Sequence, residues 1–125
     1  MPLCTITLQA GTLSDAEKTT LAGEITSLHS EVSGVPKNWV HIVFHEYAAG
    51  NGLTAGVTAP TVGLTLLIRT GRPSEYKRYL LQRLWNLLQP ATGAPNDQIV
   101  MGIQEVPASQ AMEMGRIMPD VEVGA

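Results

Sequence analysis

The chain of 125 residues is 44% hydrophobic, which is enough apolar material for one core, and we expect a single domain over residues 1–125. Only 15% of the residues are charged, against about 25% in an average soluble domain, so part of the surface is predicted to be covered by further copies of the chain. The 11 acidic residues outnumber the 8 basic residues, and no basic stripe is present. Neither a nucleic acid nor an anionic membrane is therefore an expected partner.

The N-terminal sequence has neither the basic segment nor the apolar segment of an export signal, and no run of about 18 apolar residues is present. Cys4 is the single cysteine and cannot form an internal disulfide, so a reducing, cytoplasmic location is expected. A small residue at position 2 generally allows removal of the initiator methionine, and the mature chain is then expected to begin with the secondary amine of Pro2. If Met1 is retained, the Pro2 nitrogen is an amide and cannot act as a base.

The first half of the sequence predicts a β-α-β unit. A strand from Leu3 to Gln9 precedes a helix that opens with a capping box between Ser14 and Glu17. His29 falls at the edge of the apolar stripe of this helix and is predicted to be a capping or partly exposed histidine. A second strand follows, with alternating apolar residues. The helical stripe consists of Leu21, Ile25, Leu28 and Val32, and the strand presents Val40, Ile42 and Phe44.

The second half repeats this pattern, and a Gly-x-Pro sequence ends the predicted helix in each half, at Gly34 and at Gly93. Between the halves, the glycine-rich segment from Ala48 to Thr61 predicts a mobile loop or a short hairpin. A third strand, from Val62 to Arg69, precedes a second helix that begins near Ser74. The second helix carries a wider apolar face (Tyr76, Leu80, Leu84, Leu87 and Leu88), and the fourth strand presents Ile99, Met101 and Ile103.

Two joined β-α-β units predict an α+β (α/β) fold, with a four-stranded mixed sheet and two helices on one face. The pseudo-repeats cover about residues 2–46 and 61–105, and the C-terminal segment 106–125 is expected to contain a short helix from Pro107 to Met114. Right-handed crossovers make the two strands of each unit parallel, and a pseudo-two-fold axis makes the first and third strands antiparallel. The helix-free face needs a cover, which homo-oligomerisation would supply.

This topology places Pro2 opposite Arg69, at the end of the third strand. The segment from Arg69 to Arg72 leaves a strand and enters a helix N-terminus, where free N–H groups favour an anion. Two guanidinium groups there predict a carboxylate ligand, and surface salt bridges are the alternative. Burial and the two cations would lower the pKa of a Pro2 amine and allow it to abstract a proton near neutral pH. The alternative, which a Met-Pro start by itself favours, is that Pro2 has no role.

The remaining polar residues predict no metal site and no cofactor. His41 and His45 are separated by about 13 Å along a strand, which is too far for one shared metal ion. Glu113 falls on the predicted C-terminal helix, where it is either a solvated charge or a general base.

Together these residues resemble the tautomerase superfamily and, within it, the cis-3-chloroacrylic acid dehalogenase family. The resemblance extends from Pro2 to Pro119. It rests on the N-terminal proline, on Ala49-Gly50-Asn51, on Arg69-Thr70-Gly71-Arg72 with Lys77 downstream, and on the segment from Glu105 to Pro119.

The resemblance implies a tautomerase/MIF-like fold, a homotrimer and catalysis without a cofactor. It also implies that Pro2 is the catalytic amine and that Glu113 is a water-activating carboxylate. The residues that would hold the substrate carboxylate are His29, Arg69 and Arg72. One departure is Gly102, which stands where the family has a tyrosine that works beside the glutamate on water.

The absent tyrosine weakens the hydration step of dehalogenation but leaves enol chemistry intact, since that needs only a positioned base and a cationic clamp. We therefore expect a cofactor-independent enzyme that interconverts a small carboxylate, a 2-keto acid similar to phenylpyruvate, with its enol. The alternatives are a cis-3-haloacrylate dehalogenase or hydratase, a cofactor-free enol oxygenase and a non-catalytic trimeric binding protein. Decarboxylation is disfavoured because Trp39 stands near the position of the aspartate of the decarboxylases.

Overall fold

Two helices pack on one face of a four-stranded sheet in the computed structural model, which describes residues 1–121. The strands are β1 (Leu3–Gln9), β2 (His41–Tyr47), β3 (Leu53–Thr54), β4 (Val57–Thr58), β5 (Val62–Arg69), β6 (Ile99–Val106), β7 (Met112–Glu113) and β8 (Arg116–Ile117). The helices are α1 (Asp15–Ser33) and α2 (Ser74–Thr92), and 3₁₀ turns occupy Lys37–Trp39, Asn96–Gln98 and Ala108–Gln110.

The main sheet has the order β2-β1-β5-β6. The outer pairs, β1 with β2 and β5 with β6, are parallel, whereas the central pair, β1 with β5, is antiparallel. The predicted mixed sheet with two helices on one face is therefore confirmed.

The second half of the chain reproduces the first at the level of individual elements. The helices α1 and α2 have the same length. The number of residues from the start of α1 to the start of α2 equals the number from the start of β3 to the start of β7. Two surface ion pairs correspond as well, since Lys18–Glu46 and Lys77–Glu105 each join a helix to the end of a strand at 2.6 and 2.7 Å. The recurrence thus extends beyond the strands into both hairpins.

Both helices end where the sequence predicts. The capping box at Ser14 and Glu17 is formed in both directions and begins α1. Gly34 and Gly93 follow the two helices in the left-handed conformation, with φ of 77° and 67°, and each N–H donates to a carbonyl of the last turn. This ending fixes the last turn of α1, which carries His29 and Ser33 into the site described below.

One apolar core fills the space between the helices and the sheet. Alternate residues of β1 point into it, and burial raises the pKa of the Cys4 thiol to about 12, so the thiol stays uncharged. Three leucines at spacings of four anchor α2 and are fully buried, whereas Tyr76 and Leu87 are only partly buried. The main contributors are Ile6, Leu8, Leu21, Ile25, Leu28, Leu64, Leu66, Leu80, Leu84 and Leu88.

The opposite face of the sheet is uncovered in the single chain. Val43 on β2 and Val100 on β6 are 41% and 70% exposed there, between polar residues such as Thr65. None of the helices in residues 1–121 is both long and apolar enough to span a membrane.

The predicted helix from Pro107 to Met114 is wrong. A single 3₁₀ turn is followed instead by the β7-β8 hairpin. Met114 and Gly115 both have positive φ, 53° and 75°, which suits a two-residue hairpin turn and excludes a helix. Of the two predictions for residues 48–61, the short hairpin is confirmed, with Ala55 and Gly56 in the same two conformations.

Candidate active site

Pro2 lies at the point where three strands of the sheet meet. The antiparallel register pairs Leu3 with Leu67, so Pro2 precedes β1 beside the last residues of β5. The N–H of His41, on the other side, donates to the Pro2 carbonyl at 3.0 Å. Pro2 is buried in this position.

A small cavity with a volume of about 20 Å³ opens beside Pro2. The end of α1, the end of β5 and the start of α2 supply its walls. It brings together four of the five site residues proposed from the sequence, namely Pro2, His29, Arg69 and Arg72. The remaining lining residues are Met1, Ser33, Val35, Ile68, Tyr76 and Val121.

His29 is only 1% exposed, so the prediction of a capping or partly exposed side chain is wrong. The last turn of α1 packs its imidazole inward, and neither ring nitrogen has a hydrogen-bond partner among the described residues. Burial, with smaller contributions from the N-terminal amine and Arg72, lowers the pKa of His29 to about 4. A neutral imidazole with two free nitrogens on a cavity wall is available to a ligand.

The two arginines lie on the same cavity and are both held by carbonyl groups. Arg69 is 6% exposed and donates from Nη1 to the carbonyl of Pro119. Arg72 donates from Nη2 to the carbonyl of Ser33 at 3.3 Å. Neither guanidinium forms an ion pair with a carboxylate of residues 1–121, so the alternative of surface salt bridges is not observed.

Aromatic rings support both guanidinium groups. The Arg72 guanidinium lies 4.9 Å from the ring centre of Tyr76, and that of Arg69 lies 5.8 Å from Trp39. Burial chiefly lowers the pKa of Arg69, and the charge of Arg72 lowers it further, but an arginine remains charged. Two cations are thus held close together at one end of the cavity.

Glu113 reaches the N-terminus from β7 rather than from a helix. Its Oε2 forms an ion pair with the α-amine of Met1, and its Oε1 accepts a 2.7 Å hydrogen bond from His41 Nε2. The Glu113 side chain is only 8% exposed. A carboxylate is therefore held against the first residues of the chain, beside the cavity.

The chain matches a known protein family. The sequence model of a family described as "Putative oxalocrotonate tautomerase enzyme" matches residues 1–124. The chain belongs to this family. The predicted resemblance to the tautomerase superfamily is thereby confirmed. No curated protein sequence matches the chain.

Solved structures with the tautomerase fold resemble the chain over most of its length. Native Ps01740 is 34% identical with a TM-score of 0.85, over 89% of this chain and 99% of that one. A structure named N1, from the cis-3-chloroacrylic acid dehalogenase family, is 24% identical with a TM-score of 0.88, over 95% and 85%. A symmetric trimer of fused 4-OT is 20% identical with a TM-score of 0.83, over 93% and 94%.

Within this tautomerase-family chain, several residues of the site were missed from the sequence. His41 meets Glu113 because the parallel register places His41 opposite Leu3, a pairing that spacing alone does not give. The sequence predicts Tyr76 only as a packing residue. It lies four residues after Arg72, however, which is the usual spacing of neighbouring side chains on one face of a helix. Val121 closes over Gly71, where φ is 126° and a Cβ would collide with the valine.

Gly102, which stands where the resemblance implies a tyrosine, lies in the middle of β6 opposite Thr65 of β5. It belongs to the helix-free face of the sheet and does not line the cavity of its own chain. Within residues 1–121, no three histidine, cysteine or acidic side chains are grouped closely enough to hold a metal ion.

Proposed function

We propose that the chain is a cofactor-independent enzyme that interconverts a small 2-keto acid, similar to phenylpyruvate, with its enol. The amine of Pro2 would act as the base once Met1 is removed. The observation that carries the proposal is that Pro2, His29, Arg69 and Arg72 line one cavity.

The proposed chemistry requires one proton to move. The substrate carboxylate binds near the guanidinium groups, which places the carbon next to the keto group close to the Pro2 nitrogen. The amine takes a proton from that carbon, and the electrons of the broken C–H bond form a carbon–carbon double bond and leave the negative charge on the keto oxygen. The cations and a His29 N–H stabilise this enolate, and the Pro2 ammonium group then returns its proton to the enolate oxygen, which gives the enol and restores the free amine.

Glu113 has a supporting role in this proposal. Its carboxylate pairs with the α-amine of Met1, and once Met1 is removed it would lie near the Pro2 amine and stabilise the ammonium group that forms there. His41, on the other carboxylate oxygen, orients it. Both are therefore proposed as positioning groups for the tautomerase reaction.

Ketonisation of phenylenolpyruvate, followed by loss of the enol absorbance, tests the proposal. The mass of the intact protein first establishes whether Met1 is absent. Pro2→Leu has a large second residue that should keep Met1 in place, so the nitrogen at position 2 is an amide and not a base. Because general-base catalysis contributes at least about 100-fold, this variant should lower kcat/KM by about that factor or more. Pro60→Leu is the matched control, since this exposed proline has an internal amide nitrogen, and it should leave kcat/KM unchanged. Retention of Met1 in the unmodified chain, or equal activity in all three proteins, would contradict the proposal.

One observation favours a second candidate, the dehalogenation or hydration of a cis-3-haloacrylate. Glu113 is nearly buried and held by a hydrogen bond beside the cavity, where a positioned carboxylate could take a proton from water. In that case the protein should release chloride from cis-3-chloroacrylate, and Glu113→Gln should reduce the release by at least about 100-fold. If ketonisation proceeds and no chloride is released, the second candidate is excluded.

We also propose that the chain assembles as a homotrimer. The exposed apolar residues of the helix-free face, Val43 and Val100, need a cover, and the fused 4-OT of similar fold is a trimer.

A further inference from the structure

A second cleft opens on the other side of the two arginines. It has a volume of about 280 Å³, against about 20 Å³ for the cavity beside Pro2. Arg69, Arg72, Ser33 and Val35 line both spaces and form the boundary between them. We call the space beside Pro2 the inner cavity and the larger one the outer cleft.

The two spaces differ in the size of group that they can hold. The inner cavity leaves room for about one water molecule while Met1 is in place. It suits a compact group such as a carboxylate, next to His29 and Arg72. Removal of Met1 would enlarge the inner cavity on the Pro2 side, and the outer cleft, which shares Arg69 and Arg72 with it, offers space for the further atoms of a larger substrate.

The outer cleft has flat apolar walls. Trp39 forms one wall and stacks on the Arg69 guanidinium, and Pro36 and Pro119 form others. The indole is held by contact with the small apolar cluster of Ala108, Ala111 and Met118 under the C-terminal hairpin. A planar apolar group can lie against such walls and displace water from them.

Before any ligand binds, the charged side chains of the outer cleft leave a small net positive charge. Among residues 1–121, its lining contains two guanidinium groups and one carboxylate, that of Asp120, and the charges of Glu113 and Asp120 both act on Arg69. One net positive charge remains, and one substrate carboxylate neutralises it. A second carboxylate would lie in the cleft with Asp120 and repel it.

We propose that the outer cleft is a substrate subsite that selects monocarboxylates with a flat apolar tail and disfavours dicarboxylates. Trp39 and Asp120 are its specificity-determining residues. The inference rests on the proposed function for the placement of the acidic end in the inner cavity. This selectivity would distinguish the chain from an enzyme that acts on oxalocrotonate, the dicarboxylate named in the description of the family.

Calorimetric titration of the purified full chain with three stable acids tests the subsite. Cinnamate is a monocarboxylate with an aryl tail, crotonate is a short monocarboxylate, and muconate is a dicarboxylate. Cinnamate should bind most tightly. Trp39→Leu should weaken cinnamate binding by about tenfold, because the stacking contact is lost, and should leave crotonate binding within about twofold. Trp85→Leu, which changes a tryptophan outside both spaces, is the matched control and should alter neither affinity.

Asp120→Asn provides a second variant, because the exposed Asp120 is not needed for packing. It should raise the affinity for muconate by about threefold to fivefold and leave that for cinnamate unchanged, whereas Asp97→Asn on the surface should change neither. The inference is overturned if muconate binds the unmodified chain as tightly as cinnamate does, if Trp39→Leu weakens cinnamate and crotonate equally, or if none of the acids binds.

These titrations require no turnover, and Met1 does not line the outer cleft. Acid binding with the predicted selectivity but no Pro2-dependent ketonisation would contradict the proposed function and support the subsite. Pro2-dependent ketonisation with the opposite selectivity would contradict the subsite alone.

Discussion

His29 shows at the residue scale how burial tunes a side chain for a ligand. An imidazole with a pKa of about 4 is neutral at neutral pH, so one ring nitrogen donates a hydrogen bond while the other accepts. It can therefore stabilise an oxygen of the substrate without adding a third positive charge beside Arg69 and Arg72. Within the part of the chain that the structure describes, neither buried nitrogen has a partner, and a ligand would remove that penalty.

The low pKa of His29 predicts an acid-sensitive fold. The unfolded chain takes up a proton on this residue as the pH falls through about 6.5, whereas the folded chain resists until about 4. Protonation thus favours the unfolded state, so the free energy of unfolding should fall between pH 6.5 and 4, by as much as about 3 kcal/mol at 1.36 kcal/mol per pH unit. Urea unfolding across this range measures the slope.

His29→Leu should flatten that slope, because the only deeply buried histidine among the described residues is removed. His45→Gln, which changes an exposed histidine, should leave it unchanged. An equal pH dependence in His29→Leu and the parent chain would show that other groups control the acid sensitivity.

The two hairpins allow a comparison at the element scale. Each turn has a residue in the left-handed conformation followed by glycine, Ala55-Gly56 in one and Met114-Gly115 in the other, with φ of 75° at both glycines. Both glycines have open space around the position of a Cβ, so alanine would cost only backbone strain. The hairpins differ in what they carry, because only β7-β8 holds a site residue, Glu113.

Gly56→Ala and Gly115→Ala should each lower the free energy of unfolding by about 1 kcal/mol. Only Gly115→Ala should lower kcat/KM, by about threefold to tenfold, because distortion of its turn moves Glu113 away from the amine. Denaturant unfolding and enol ketonisation measure the two effects. If both variants lose activity equally, the position of Glu113 is not the cause.

The elements that the sequence predicted well are those set by neighbouring residues. The capping box at Ser14, the glycines after both helices and the apolar periodicities act over a few residues, and they fix α1, α2 and the main strands. The hairpin at Met114 lacks an Asn-Gly or Asp-Gly signal, and only its counterpart in the first half of the chain, Ala55-Gly56, indicates it.

The site residues divide in the same way. Strand order and direction were enough to place Pro2 near Arg69. The burial of His29 depends on how the last turn of α1 packs, and the contact between His41 and Glu113 depends on strand register and on a hairpin 72 residues away. These are tertiary properties, which periodicity does not encode.

At the scale of the whole molecule, we expect the uncovered sheet face to control the proposed assembly. Its apolar residues, Val43 and Val100, are exposed in the single chain, and a charge placed among them would have to be buried in an oligomer. Val43→Asp should therefore shift the protein toward the mass of a single chain at micromolar concentration. Analytical ultracentrifugation measures this.

Ser27→Asp is the matched control, because Ser27 is exposed on α1, on the other side of the molecule, and the oligomer mass should not change. An unchanged mass for Val43→Asp would place the contact between copies elsewhere.

The near symmetry of the fold is not matched by its chemistry. In the other half of the repeat, the positions equivalent to the site residues hold Leu88 for His29, Ala10 for Arg69 and Leu13 for Arg72. Restoring the three polar side chains would recreate the electrostatics of the site at the opposite pole. It would not recreate a base there, because Thr61, the residue equivalent to Pro2, has its nitrogen in a peptide bond, where it is not basic. A second centre of this kind would require a break in the backbone before β5 in addition to the three substitutions.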